Sequence, residues 1–321
     1  MWDNGAKGES CMQKKDNFDE IKDNICKKFV WMGRNQSYLQ TKITKHVIHV
    51  TREKLAYEIT ITRVMDTKWI EIETSGVRMG ELYELANEVR RFEYLFDGAF
   101  YSMMQCKMDD TDIVEAIRQV ELGYFQYAKR KRRILLNVTD REYQKYFCKW
   151  LRLERELGII NQMVLYAGNI NGLPVDIRIS MITECFESLI RKLESHKLIY
   201  KVHSRTLANC ILSILMVYGE PVFKTEQKDW NALVRRIVKT RNKVFHVDSR
   251  NKDALDGTQS GFYAIKLDWL YRYIVWIMLG YDKKVLYAAL EPEITAYEAN
   301  FPQLIFGGHK KSKQRQSVNK K

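Results

Sequence analysis

An α+β chain is predicted, in which a β-rich N-terminal part precedes a bundle made only of helices. Two observations carry this. Between about residues 43 and 74, β-branched residues alternate with polar ones at period two. From about residue 140 onward, apolar residues return at helical spacing.

Residues 1–40 show no sustained periodicity and read as an extension with some local helix. Val47, Ile59, Ile61, Ile70 and Ile72 then mark three strands, at about 43–50, 55–64 and 67–74, broken at Arg52-Glu53 and Asp66-Thr67. Leu82, Leu85, Ala86, Val89 and Phe96 keep helical spacing from about Gly80 to Met104. Asp109, Asp110 and Asp112 read as a loop that caps a helix. The stretch to about 138 carries no firm pattern.

Tyr143, Phe147, Trp150, Leu153 and Leu157 open the helical part, followed by a loop with Gly168, Gly172 and Pro174. A second helix is expected at about 176–195, with Asp176 able to cap it, and a third from Ser204 to Tyr218. A fourth is expected at about 226–247, a polar loop at 249–261, a long helix at about 265–280 and a shorter piece after it. The domains expected are thus an extension (1–40), a β-rich α+β domain (41–139), a helical domain (140–305) and a basic tail (306–321).

A chain of 321 residues with 45% hydrophobic content can bury a real core in two domains. Six cysteines without a CxxC pair, and a charged N-terminus without a secretory pattern, point to a reducing cytoplasm. The longest apolar run, around Tyr273 to Tyr281, is too short to span a bilayer, so no membrane role is expected. The net charge of +13 sits mainly in the C-terminal half, the tail and the run Lys129, Arg130, Lys131, Arg132, Arg133. That distribution suits a polyanionic partner, and the run is a candidate RNA contact or a solvated face.

The chemistry-bearing stretch is Arg241-Asn242-Lys243-Val244-Phe245-His246. It places a permanent cation, a carboxamide and a titratable imidazole within about one and a half helical turns. Such groups can cleave RNA without a metal. Trp230, Leu233, Val234, Ile237, Val238, Val244 and Phe245 form an apolar stripe with Arg241 in its middle. A guanidinium there must be paired, face a ligand or meet another subunit. Arg241 and His246 lie about 140° apart on an ideal helix, so a shared site needs the helix to end near His246 or a second copy to complete it. The plain alternative is that Arg241 pairs with a carboxylate inside the bundle and His246 is a solvated helix-terminal residue.

Thr240-Arg241-Asn242 through His246, inside an all-helical C-terminal domain, resembles the HEPN superfamily of ribonucleases. That signature is an arginine, a polar residue, three variable residues and a histidine. The order Tyr143…Trp150, a glycine-bearing loop, Phe186-Glu187-Ser188-Leu189, then Val238 to Asn242 is similar to ApeA-type HEPN proteins, which are implicated in bacterial anti-phage defence and also carry a β-rich N-terminal domain. The likeness spans roughly residues 40–305.

The resemblance implies a homodimeric, metal-independent endoribonuclease that needs no cofactor. The RNA 2′-hydroxyl attacks the adjacent phosphorus and leaves a 2′,3′-cyclic phosphate. Arg241 would clamp the phosphate, His246 would be general base or acid, and Asn242 would orient the histidine or bind phosphate. HEPN toxins silenced by nucleotidyltransferases carry a tyrosine two residues after the histidine; Asp248 stands there and argues against that pairing. Another sensor or regulatory partner remains an expectation. Glu187 matches a glutamate of the pattern, but the helical wheel places it opposite Ile182, Cys185 and Leu189, with Glu184 nearer the stripe; either is a partner for Arg241.

A catalytically silent HEPN-like module that binds RNA or protein is the second reading. His46 and His49 lie on opposite faces of a strand with no third ligand, so no metal site is expected there. No phosphate-loop, dinucleotide or hydrolase-elbow motif occurs.

Overall fold

The computed structural model describes residues 17–34, 43–121, 133–170, 172–246 and 253–307. A short helix α1 (Phe18–Ile21) leads into β1 (Ile25–Arg34), followed by the meander β2 (Thr44–Arg52), β3 (Leu55–Val64) and β4 (Thr67–Arg78). Helix α2 (Met79–Asp97), strands β5 (Ser102–Met108) and β6 (Thr111–Asp112), and α3 (Val114–Glu121) complete the N-terminal region. The strands form a six-stranded antiparallel sheet in the order β2-β3-β4-β1-β5-β6.

The three-strand meander lies where its alternation predicts. The extension expected over residues 1–40 does not describe residues 25–34, which form an interior strand. Its period is hidden by a bulge: the register against β4 shifts between Cys26 and Lys28, so buried Cys26 and Phe29 lie three apart. Asp109 holds that bulge, its carboxylate accepting from the backbone N–H of Lys27 at 3.0 Å and of Lys28 at 2.8 Å. Asp112 accepts from the Val114 N–H at 2.9 Å at the start of α3.

The helix expected to reach Met104 stops at Asp97. Gly98 adopts the left-handed conformation (φ 64°) and donates to the Tyr94 carbonyl, which frees residues 102–108 to pair with β1. Leu82, Leu85, Ala86 and Val89 of α2 pack on the sheet face formed by Phe29, Trp31, Ile59, Ile61, Ile70 and Ile72.

The helical region comprises α4 (Asp140–Leu157), α5 (Ile159–Asn169), α6 (Val175–Ser195), α7 (Leu207–Tyr218), the turn α8 (Glu220–Phe223), α9 (Trp230–Phe245), α10 (Gly257–Met278) and α11 (Lys283–Asn300). The start of α4 is locked by a capping box, in which Thr139 and Glu142 exchange side-chain and backbone hydrogen bonds. Thr139→Ala is expected to destabilise the protein by about 1 kcal/mol, read as a lower urea midpoint with an unchanged slope. A loss below the scatter of replicate melts would show that the cap is dispensable.

Three expectations are corrected here. The loop predicted after Leu157 is helix α5, because only Gly158 (φ 45°) interrupts the chain before a new helix starts. Helix α6 is entered through Pro174, so Asp176 lies in its first turn and is no cap. Helix α10 begins at Gly257 with Asp256 as its cap, well before residue 265, because its polar first turn reads as loop.

The junction expected near residue 140 coincides with the α4 cap, yet one hydrophobic cluster runs through both regions. Polar links cross it as well. The Tyr94 hydroxyl donates to Asp268 on α10 at 2.5 Å, and Arg272 and Trp276 both donate to the Leu95 carbonyl at 3.3 Å. Beneath the sheet, Lys68 meets Glu93 at 2.5 Å and Asp97 at 2.8 Å, while Arg63 also binds Glu93. No described helix is long and apolar enough to cross a membrane.

Candidate active site

The site stands on two helices. Glu184 comes from the middle of α6, Arg241 and Asn242 from the last turns of α9, and His246 from the residue that caps it. Two buried contacts fix where α9 ends. The Thr240 hydroxyl donates back to the Arg236 carbonyl at 2.9 Å and accepts from the Leu255 N–H at 2.8 Å. Arg236 in turn donates to the carbonyls of Asp253 and Ala254, each at 3.1 Å. The chain entering α10 is thus strapped along the end of α9.

Helix α9 stops at Phe245, and His246 leaves the helical conformation at φ −103°, ψ 3° while its N–H donates to the Asn242 carbonyl. This turns the imidazole back over the helix end. Arg241 Nη1 and His246 Nε2 come to 3.3 Å, although the wheel would separate them by about 140°. A guanidinium has no acceptor, so in a hydrogen bond between the two groups Nε2 is the acceptor.

Arg241 is well held. Nε donates to Glu184 Oε2 at 2.7 Å, Nη1 donates to Asn242 Oδ1 at 3.0 Å, and the guanidinium lies 5.2 Å from the Phe245 ring centroid. The Arg241 side chain is 21% exposed and that of Glu184 35%. The expected stripe is shorter than the wheel implies. Trp230, Leu233, Val234 and Ile237 are buried, but Val238 and Val244 are half-buried and Phe245 is 47% exposed. Arg241 thus sits where the buried face of α9 runs out, on an open edge of the bundle.

Of the two carboxylates considered for Arg241, Glu184 is the partner. Glu187 pairs instead with Arg191 at 3.2 Å on an exposed turn of α6. The sequence assigns no role to Arg236 or Leu255 and shows Thr240 only as part of the motif, since their roles depend on the docking of residues 253–255. Lys129, Arg130, Lys131 and Arg132 lie outside the described residues, as does Asp248. Arg133 is not an outward cation: its Nε lies 3.6 Å from Asp97 and its side chain is 17% exposed.

His46 bonds Asp140 at 2.7 Å and stacks on Tyr143, whereas His49 faces Glu58. Among the described residues no group of three His, Cys, Asp or Glu side chains is arranged to hold a metal ion. A groove of about 570 Å³ lies on the N-terminal region, between α1, the β2–β3 turn and α2. It is lined by cations and carboxylates that include Arg52, Glu53, Arg78 and Glu81, and it contains none of the Arg241 cluster.

Residues 175–285 match the family model described as Apea-like HEPN. The match starts with α6, ends inside α11, and contains Glu184, Arg241, Asn242 and His246; the sheet lies outside it. No curated protein and no solved structure matches the chain. That match suggests a nuclease or RNA-binding function of HEPN type. Over residues 175–285, behind a six-stranded antiparallel sheet, the chain is similar to the Apea-like HEPN family.

Proposed function

We propose that the protein is a metal-independent endoribonuclease whose reacting groups are Arg241, Asn242 and His246. The observation that carries this reading is the 3.3 Å contact between Arg241 Nη1 and His246 Nε2 at the end of α9. In the proposed step, His246 Nε2 takes the proton of an RNA 2′-hydroxyl as O2′ bonds to phosphorus. The P–O5′ bond then breaks, leaving a 2′,3′-cyclic phosphate, and the departing O5′ takes up a proton. Arg241 turns its Nη face from His246 and Asn242 to the phosphate oxygens, where it stabilises the charge that develops. Glu184, bonded to Nε, keeps the guanidinium aimed while that exchange occurs. Asn242, with its carbonyl turned to Arg241, offers its amide N–H₂ to a phosphate oxygen.

The proton for O5′ comes, in this reading, from the imidazolium of a second copy. The exposed Phe245 and half-buried Val244 beside the site support such a homodimer. The role proposed for the chain is that of an anti-phage defence or toxin effector in the cytoplasm, with the sheet region sensing a trigger or a partner.

The test is direct. Purified protein with single-stranded RNA in EDTA is expected to give fragments ending in 2′,3′-cyclic phosphate, detected by their resistance to a phosphatase that acts only on monoesters. Fragments with other ends, or cleavage that needs a metal, would overturn the mechanism. The occupation of Arg241 by Glu184, Asn242 and His246 also favours a second reading, a silent RNA-binding module. That reading predicts bound but intact RNA and no growth arrest on expression.

The Glu184 contact makes a separate prediction. Glu184→Ala is expected to lower kcat by roughly 10- to 100-fold, because small errors in aim are costly to a preorganised site. Glu187→Ala should stay within about two-fold. Both partly exposed pairs should alter stability by less than about 1 kcal/mol. Equal kcat losses in the two variants would remove Glu184 from the positioning role.

A further inference from the structure

The segment that joins α6 to α7 presents the most exposed large hydrophobic side chain described, Tyr200, at 93%. The loop is not loosely tethered. Leu198, Ile199 and Val202 pack against the core on both sides of Tyr200. The Leu198 carbonyl accepts from the Tyr218 hydroxyl at 2.6 Å, and the Val202 N–H donates to Glu194 at 2.8 Å. Glu194 spends its second oxygen on Arg205 at 2.8 Å. A fixed backbone therefore holds an aromatic ring out into solvent, 93% exposed among the described residues.

The sequence around that ring is rich in cations, and the carboxylates beside it are engaged: Glu156 pairs with His196 at 2.7 Å. Between Lys192 and Thr206, Lys192, Lys197, Lys201 and Arg205 face a single carboxylate, Glu194, which is already engaged. Helix α7, which follows, carries no acidic residue at all. Lys197 adds an independent clue. It occupies the left-handed position after the helix end (φ 58°), with the Leu198 N–H bonded back to the Leu193 carbonyl. Glycine fits that position without steric strain, whereas a lysine is strained there. A strained lysine beside an outward tyrosine is accounted for if its ammonium has a task.

We propose that Tyr200, Lys197 and Lys201 form a docking platform for single-stranded RNA, separate from the Arg241–His246 cluster. A base stacks on the Tyr200 ring, and the two ammonium groups contact the flanking phosphates. Base–aromatic stacking tolerates any sequence, since every base has a π-face. Ser195, at the end of α6, lies about 16 Å along the helix from Glu184, so the platform engages RNA away from the reacting groups. It governs how long RNA is retained, whatever happens at the cleavage site.

The experiment is fluorescence anisotropy with a labelled uridine dodecamer and the full chain, over a series of salt concentrations. Tyr200→Ala is expected to weaken binding roughly 5- to 150-fold, while Tyr200→Phe, which keeps the ring, stays within about two-fold. Lys197→Ala with Lys201→Ala should flatten the slope of log affinity against log salt by about 1.4. Lys197→Gly should raise the melting temperature yet weaken binding, which a merely structural lysine would not do. Arg241→Ala keeps the Tyr200-dependent part of binding, so failure of the cleavage reading leaves this result distinct. Wild-type affinity in Tyr200→Ala, or a changed oligomeric state with unchanged RNA affinity, overturns the proposal in favour of a protein-binding surface.

Discussion

Replacing His246 by alanine is expected to slow RNA cleavage by roughly 10²- to 10⁴-fold, the usual contribution of a positioned acid–base group. Replacing Arg241 by alanine should cost roughly 10²- to 10³-fold through lost stabilisation of developing charge. Because the two groups touch at 3.3 Å, their losses should not add: the double variant should fall little below the worse single one. The measurement is single-turnover cleavage in EDTA, with melting temperatures as the control for folding. His246 is exposed at the helix terminus, so its removal leaves the core intact. Undiminished cleavage by both single variants would sink the assignment. Growth arrest that persists with His246→Ala would separate toxicity from this chemistry.

The second large effect concerns stability. Lys68→Ala is expected to destabilise the fold by roughly 3–5 kcal/mol, since it strips a cation from buried Glu93 and Asp97. Burial alone would raise the Glu93 carboxyl; Arg63 and then Lys68 outweigh it and hold the group at about 2. A carboxyl lowered on folding stabilises most above its unfolded value of about 4.3. That contribution fades as the pH falls from about 4.3 toward 2. The variant should therefore begin acid unfolding at a higher pH than the parent. A urea-derived loss below about 1 kcal/mol would show that Arg63 and Arg133 suffice without Lys68.

These cases also show what the sequence discloses and what only packing decides. Strands β2 to β4 were legible because Ile59, Ile61, Ile70 and Ile72 keep strict alternation over a half-buried sheet. Strand β1 was not, since one bulged residue breaks the period on which such a reading depends. Helix α5 was masked by the single glycine before it, and the start of α10 by a polar first turn. Arg241 and His246 were visible as residue types at a spacing, but their contact was not. A helical wheel assumes the helix continues, and here it ends one residue before the histidine. The wheel preferred Glu184 to Glu187 near the stripe, yet only the rotation of α6 against α9 selects between them. Arg133 shows the reverse error, where a run of cations conceals one that turns inward to Asp97.

The place of β1 has a consequence for handling the protein. Ile25–Arg34 is hydrogen-bonded on one side to β4 and on the other to β5. Cutting away the residues through Arg34 would therefore not shorten the sheet at its border. It would part β2-β3-β4 from β5-β6 and bare a raw edge on each fragment, the kind of surface that recruits other chains. A shortened chain that aggregates would then report a torn seam in the sheet, not a missing sensor.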